Sequence, residues 1–213
     1  MEKNKNLTIE ETLNLAIKNH QEGKTDIAQN LYNKILEIDP NHSQTLNNIG
    51  IIFTNLKNYQ KAKECFEQVI EINLNYADAH NNLGTIFLTL GENQKAKSCY
   101  EKAIEINPSY ADAHNNLGII FKELGDLQKA KECCEKAIEI NPNHIDALNN
   151  LGVIYKKLKK LQKAKECYEK AITINPNNTD ALNNLGNIFK ELGENQKAKE
   201  CYEKAITINP NHA

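Results

Sequence analysis

The side chains of this 213-residue sequence that could react or bind are six cysteines, six histidines, 28 carboxylates and 32 asparagines. Their spacing decides which chemistry is open to them. A structural zinc site wants cysteines in close pairs, separated by two to four residues. Here Cys65, Cys99, Cys133, Cys167 and Cys201 recur every 34 residues, and Cys134 stands directly beside Cys133. On the apolar face of a helix such a series reads as small core residues. A redox role for the vicinal pair Cys133–Cys134 is disfavoured, because adjacent helical residues point apart. His20, His42, His80, His114, His144 and His212 contain no i,i+4 pair of the kind that metal-binding helices carry. No glycine-rich phosphate loop and no nucleophile elbow occurs. The carboxylates recur alike along the chain, whereas catalysis needs an asymmetric site. The expectation is therefore no catalytic residue, no metal, no cofactor and no enzymatic activity.

Asparagine is different. Asn48, Asn82, Asn116, Asn150 and Asn184 form one series at 34-residue steps, and Asn47, Asn81, Asn115, Asn149 and Asn183 form a second. An acidic series, Asp78, Asp112, Asp146 and Asp180, runs beside them, with Gln44 at the equivalent earlier place. A side-chain amide carries one acceptor oxygen and two donor hydrogens, and a peptide bond offers the complementary pair. A regular ladder of amides on one face could hold an extended peptide by its backbone, with little regard for its side chains. These fourteen Asn and Asp residues are the expected peptide-binding set.

The elements that would position them follow from the same period. Ala77–Gly84, ADAHNNLG, recurs unchanged at Ala111–Gly118, and the shift of 34 carries Gly50 to Gly84, Gly118, Gly152 and Gly186. It also carries Ala62 to Ala96, Ala130, Ala164 and Ala198. Pro40, Pro108, Pro142, Pro176 and Pro210 follow the same step, with Leu74 breaking the series. Six units fit: 9–42, 43–76, 77–110, 111–144, 145–178 and 179–212. Residues 1–8 read as a tail and cap, and Ala213 as the start of a further unit. Repeats of this length are supersecondary units that bury a continuous core by stacking.

Each unit reads as two helices. In 111–124 the residues Ala113, Leu117, Ile120, Phe121 and Leu124 have helical spacing, and 127–140 continues the stripe. Gly125-Asp126 makes the turn between them, and Asn141-Pro142 stops the second helix. The opposite face of 111–124 carries Asp112, Asn115, Asn116, Ile119 and Lys122, so both asparagine series are expected on it. Gly118 and Ala130 are small where the two helices should cross. Glu132 with Lys136, Glu166 with Lys170 and Glu200 with Lys204 are expected i,i+4 ion pairs, worth roughly 0.2–0.5 kcal/mol each. Thr8 with Glu11 is a capping-box signature. The first unit diverges most, with Ala16 in place of the glycine and Ile35 in place of the later alanine, as terminal repeats often do.

The pattern of Leu117, Gly118, Phe121, Ala130, Ala137 and Pro142, repeated at 34, resembles the tetratricopeptide repeat over residues 9–212. The family's usual aromatic early in the first helix is replaced by Leu46, His80, His114, Leu148 and Leu182. The resemblance implies an all-α fold, a right-handed α–α superhelix with the first helices lining a concave groove. The phrase ADAHNNLG is also similar to the repeat arm of O-linked N-acetylglucosamine transferases. In that family an asparagine ladder grips substrate backbone, and Asn48 through Asn184 are the matching residues. The carboxylate-clamp branch of the family needs lysine or arginine on this face. Asp and Asn stand at those places here, which disfavours that partner class.

The bulk composition narrows the partners. The net charge is −2, and all 26 basic residues are lysine. Nucleic-acid binders usually carry a basic excess and use arginine for phosphate recognition, so no nucleic acid is expected. No apolar run is long enough to span a bilayer and no secretion signal opens the chain, so no membrane and a cytoplasmic location are expected. The leading reading is a protein–protein interaction scaffold that binds an extended or helical partner segment in its groove. The second is a substrate-recruiting arm of a larger enzyme, such as a glycosyltransferase, with its catalytic domain missing from this chain. It draws on the end at a unit boundary without a covering polar helix. An apolar end around Ile188, Leu192, Tyr202 and Ile206 is expected to support self-association. Specificity is expected from two variable rows: Ile51, Thr85, Ile119, Val153 and Asn187, and Thr54, Leu88, Lys122, Lys156 and Lys190.

Overall fold

The computed structural model describes residues 7–210. Residues 1–6 of the expected tail, and 211–213 with the expected start of a further unit at Ala213, lie outside the described residues. Among the described residues the chain forms twelve helices and no strand. They fall into two compact units. The first, Met1–Asn107, holds α1 (Ile9–Gln21), α2 (Thr25–Ile38), α3 (Ser43–Asn55), α4 (Tyr59–Ile72), α5 (Ala77–Thr89) and α6 (Asn93–Ile106). The second, Pro108–Ala213, holds α7 (Ala111–Glu123), α8 (Leu127–Ile140), α9 (Ile145–Lys157), α10 (Leu161–Ile174), α11 (Thr179–Glu191) and α12 (Asn195–Ile208). The all-α, helix-turn-helix architecture expected from the period is the one observed.

Local chemistry fixes the ends of these helices. Within each pair the chain reverses through a residue with left-handed backbone, for example Gly125 at φ +82°. Lys57 and Lys159 take the same place at φ +59°, a conformation that costs a side-chain-bearing residue about 1 kcal/mol or more. The next amide then closes on the first helix: Asp126 N–H donates to Phe121 O at 2.9 Å and Glu92 N–H to Phe87 O at 2.8 Å. This ring satisfies carbonyls that the helix end would leave bare. Between pairs an Asn or Asp side chain makes the turn. Asn143 N–H donates to Asn141 Oδ1 at 3.1 Å, and Asn75 N–H to Asn73 Oδ1 at 3.0 Å. The second of these forms without a proline, which explains how Leu74 is tolerated. At the start, Thr8 and Glu11 close the expected capping box.

Four of the six pairs are locked by a ring set against a glycine. A Cβ built on Gly152 would lie 2.5 Å from Tyr168 Cε1, and one on Gly84 would lie 2.7 Å from Tyr100 Cε1. Gly50 meets Phe66 and Gly186 meets Tyr202 in the same way. Tyr32, Tyr100, Tyr168 and Phe66 are fully buried, as are Ile52, Ile86, Ile120, Ile154 and Ile188. Close helix crossing thus needs the glycine, and the ring fills what the glycine leaves. In α7–α8 the ring is absent: Cys134 occupies its place, with Sγ 2.9 Å from a Cβ built on Gly118. Cys134 is therefore the sixth cysteine because it sits in the ring series, not the cysteine series. Of the others, Cys167 is buried and Cys65, Cys99, Cys133 and Cys201 are half-buried.

Two expectations are corrected. The ion pairs on the second helices run from lysine to the glutamate four residues on, Lys131 to Glu135 at 3.7 Å and Lys165 to Glu169 at 3.8 Å. Lys136 pairs with Glu139 at 3.0 Å instead of Glu132, which accepts from Gln128 at 2.6 Å. The cause is packing. Lys165 lays its stem along the next first helix, with Nζ 5.3 Å over the Phe189 ring, and this brings it beside Glu169. At the end of the chain, Ile188 is fully buried, so it is not part of an open apolar end; Leu192 and Ile206 are exposed. Among the described residues no helix is long and apolar enough to cross a membrane.

Candidate functional site

The helical period places Asn and Asp of successive first helices in register, because each pair repeats the previous one. In the second unit this builds a hollow of about 430 Å³. It is lined by Asn115, Asn116 and Ile119 of α7, Asp146, Asn149, Asn150 and Val153 of α9, and Asp180, Asn183 and Asn184 of α11. In the first unit a smaller hollow of about 100 Å³ is lined by Ile51, Thr54, Phe66, Asn82 and Thr85.

The two asparagine series differ in their surroundings. Asn48, Asn82, Asn116, Asn150 and Asn184 are half-buried. Asn47, Asn81 and Asn115 are buried, and Asn149 and Asn183 half-buried. Three of the second series therefore lie between helices, where the helical wheel alone put both series on the open face. Two of them, Asn47 and Asn115, link one first helix to the next. Asn82 Nδ2 donates to Asn47 Oδ1 at 3.1 Å, and Asn150 Nδ2 donates to Asn115 Oδ1 at 3.0 Å. An amide that spends one hydrogen in this way keeps another hydrogen and oxygen lone pairs. Lys122 Nζ also donates to Asn150 Oδ1 at 3.2 Å, which leaves that oxygen one lone pair. Asn149 Oδ1 is buried with no hydrogen-bond partner among the described residues.

The acidic series, Asp78, Asp112, Asp146 and Asp180, is exposed. Asp112 has a neighbour that the sequence did not reveal. His144, nearly fully buried, begins α9, and its Nδ1 accepts from Ala147 N–H at 3.3 Å. Its proton then belongs on Nε2, which lies 3.1 Å from Asp112 Oδ1, close but poorly aligned for a hydrogen bond. The His144 ring holds the Asp112 carboxyl below the usual carboxylate range. The available signal was position: His42 and Asn178 stand at the same helix start and cap it the same way. Lys156 of α9 pairs with Glu191 of α11 at 2.9 Å.

The first variable row has an internal explanation. Tyr100 Oη donates to Thr85 Oγ1 at 3.3 Å, and Tyr202 Oη to Asn187 Oδ1 at 2.9 Å. Ile51 belongs to the repeat with Phe66 and Ile119 to the repeat with Cys134, neither of which has a hydroxyl. Val153 belongs to the repeat with Tyr168, whose buried hydroxyl has no partner among the described residues. At Thr85 and Asn187 the residue in this row answers the ring hydroxyl beneath it.

Among the described residues no group of three His, Cys, Asp or Glu could hold a metal ion. Burial pushes the Cys134 and Cys167 thiols up to about 12, and Cys65 and Cys99 to about 11. A thiolate, not a thiol, is the nucleophile. The native chain is expected to react slowly with a disulfide reagent at pH 8 and rapidly once denatured. Fast labelling of several cysteines in the native chain would contradict this placement.

Comparison with known families gives matches to tetratricopeptide-repeat models over residues 43–109 and over 111–144, 145–178 and 179–212. No curated protein is detectably similar to the chain. Several solved structures share the fold. YrrB, a TPR protein described as having an unusual peptide-binding site, is 22% identical with a TM-score of 0.62, covering 85% of this chain and 93% of its own. PilW, a type IV pilus biogenesis factor, is 23% identical with a TM-score of 0.83, covering 98% and 96%. The Cut9–Hcn1 assembly of the APC/C is 16% identical with a TM-score of 0.89, covering 96% of this chain and 41% of that one.

Proposed function

The chain belongs to the tetratricopeptide-repeat family of protein-interaction scaffolds, and we propose that it holds an extended segment of a partner polypeptide against the asparagine ladder of its first helices. The observation that carries this reading is the pair of amide–amide hydrogen bonds between consecutive first helices, Asn82 to Asn47 and Asn150 to Asn115. Such bonds fix the rotamers of the outer amides before a ligand arrives, so less side-chain freedom is lost on binding. Asn82 and Asn150, each spending one hydrogen in this way, keep a donor and an acceptor for a peptide bond. The exposed Asp146 and Asp180 line the same hollow and favour a segment without excess negative charge. The peptide-binding site described for YrrB supports the reading by analogy of fold.

The test is a peptide array probed with the full chain, followed by calorimetric titration of the best-bound peptide. Binding in the micromolar range is expected, and a scrambled peptide of the same composition should retain most of the affinity. Absence of binding to every array peptide would sink the proposal.

A further inference from the structure

The turn between α9 and α10 departs from the repeat in charge. Residues 156–165 hold Lys156, Lys157, Lys159, Lys160, Lys163 and Lys165 without one acid, in a chain whose net charge is −2. The other turns of this unit read Leu124-Gly125-Asp126 and Leu192-Gly193-Glu194. There the acid serves the following helix. Asp126 Oδ1 accepts from Lys129 N–H at 3.1 Å, and its other oxygen lies 3.2 Å from Lys129 Nζ. Glu194 pairs with Lys197.

In the fifth repeat Lys159 replaces the glycine at a left-handed φ of +59°, and Lys160 replaces the acid at the start of α10. Both choices work against folding. The backbone conformation disfavours a side chain, and a cation opposes the positive end of the helix dipole. Lys160 caps nothing. Lys157, Lys159 and Lys160 are exposed and form no ion pair among the described residues.

We infer that this turn is a docking surface for an acidic polypeptide segment, separate from the hollow on the first helices. The preceding repeat displays the chemistry that fits: a carboxylate accepting from the backbone N–H and pairing with the ammonium of the lysine three residues on. A partner's Asp or Glu can take that place at Lys163, with Lys157, Lys159 and Lys160 around it. The extent of the patch selects a narrow ligand. Asp126 and Glu194 stand on the turns to either side, and Glu191 sits against Lys156. A flat anionic membrane would meet those acids as well as the lysines. Lysine ammoniums are point charges that suit single carboxylates, and the Tyr155 ring is buried and offers no stacking platform for a base.

The experiment uses the full chain and a fluorescent glutamate-rich peptide at low ionic strength. The double substitution Lys159→Gly/Lys160→Glu restores the Gly-Glu of the last turn, so it should fold at least as well, with a melting midpoint raised by about 2–4 °C. It should weaken the peptide roughly tenfold, with three charge units changed at the surface. Replacing Asn116, Asn150 and Asn184 by alanine should leave this affinity intact, which separates the turn from the hollow. Unchanged affinity in the double variant would overturn the inference. So would loss of the peptide in the asparagine variant, or tighter binding of a single-stranded oligonucleotide or phosphatidylserine vesicles through the same lysines.

Discussion

Replacing Tyr168 with alanine should destabilise the second unit by about 3–5 kcal/mol, the range for emptying a fully buried aromatic site. The ring is completely buried and lies where even one methyl on Gly152 would clash. Its removal leaves a glycine facing a void, and the helix crossing cannot close over it without moving both helices. The hydroxyl is a separate matter. It is buried without a partner among the described residues, and burial pushes its ionisation upward. Tyr168→Phe should therefore cost nothing or stabilise, whereas Tyr100→Phe should cost about 1 kcal/mol because it breaks the bond to Thr85. Urea unfolding followed by circular dichroism, with hydrogen exchange on α9 and α10, measures all three. A Tyr168→Phe loss as large as the Tyr168→Ala loss would show that the hydroxyl, not the ring, holds the crossing.

The largest effect on binding should come from replacing Asn116, Asn150 and Asn184 together with alanine. A net hydrogen bond contributes about 1 kcal/mol, so three ladder positions amount to roughly 3 kcal/mol, or about a hundredfold in affinity. The variant also carries a stability cost that must be read separately. Asn150 supplies the hydrogen bond to the buried Asn115 Oδ1, and leaving that oxygen bare costs about 1–3 kcal/mol. Calorimetry on the folded variant, at a temperature well below its melting midpoint, separates the two effects. Affinity within a few-fold of the parent would remove the ladder from the binding mechanism.

Much of this molecule was legible in its period. The 34-residue step located the helix pairs, the turns and the small residues at the crossings, because each follows from spacing within one repeat. Contacts between repeats were less legible. Asn115 and Asn116 are neighbours on the same helix, and no helical wheel tells which of them the next first helix will cover. The bond from Asn150 to Asn115 decides it. Cys134 looked like an extra cysteine beside a regular series, yet its place is the one that Tyr100 and Tyr168 fill in neighbouring repeats. The sign of the ion pairs was also hidden. Glu132 and Lys136 have the better intrinsic orientation, but Lys63 and Lys165 are drawn along the next helix by packing and pair with Glu67 and Glu169. The Asp112–His144 contact joins residues 32 apart, near the repeat length but outside any single-helix pattern.

Backbone recognition is the central claim, and peptide N-methylation tests it most directly. A bound peptide is titrated against its counterparts carrying single N-methyl groups along the chain, with every side chain unchanged. The account predicts that methylation at the positions facing Asn116, Asn150 and Asn184 weakens binding by about fivefold each, the loss of one hydrogen bond with its donor blocked. It also predicts that side-chain substitutions in the same peptide have little effect. Full affinity in the methylated peptides, with affinity that instead follows the side chains, would contradict it.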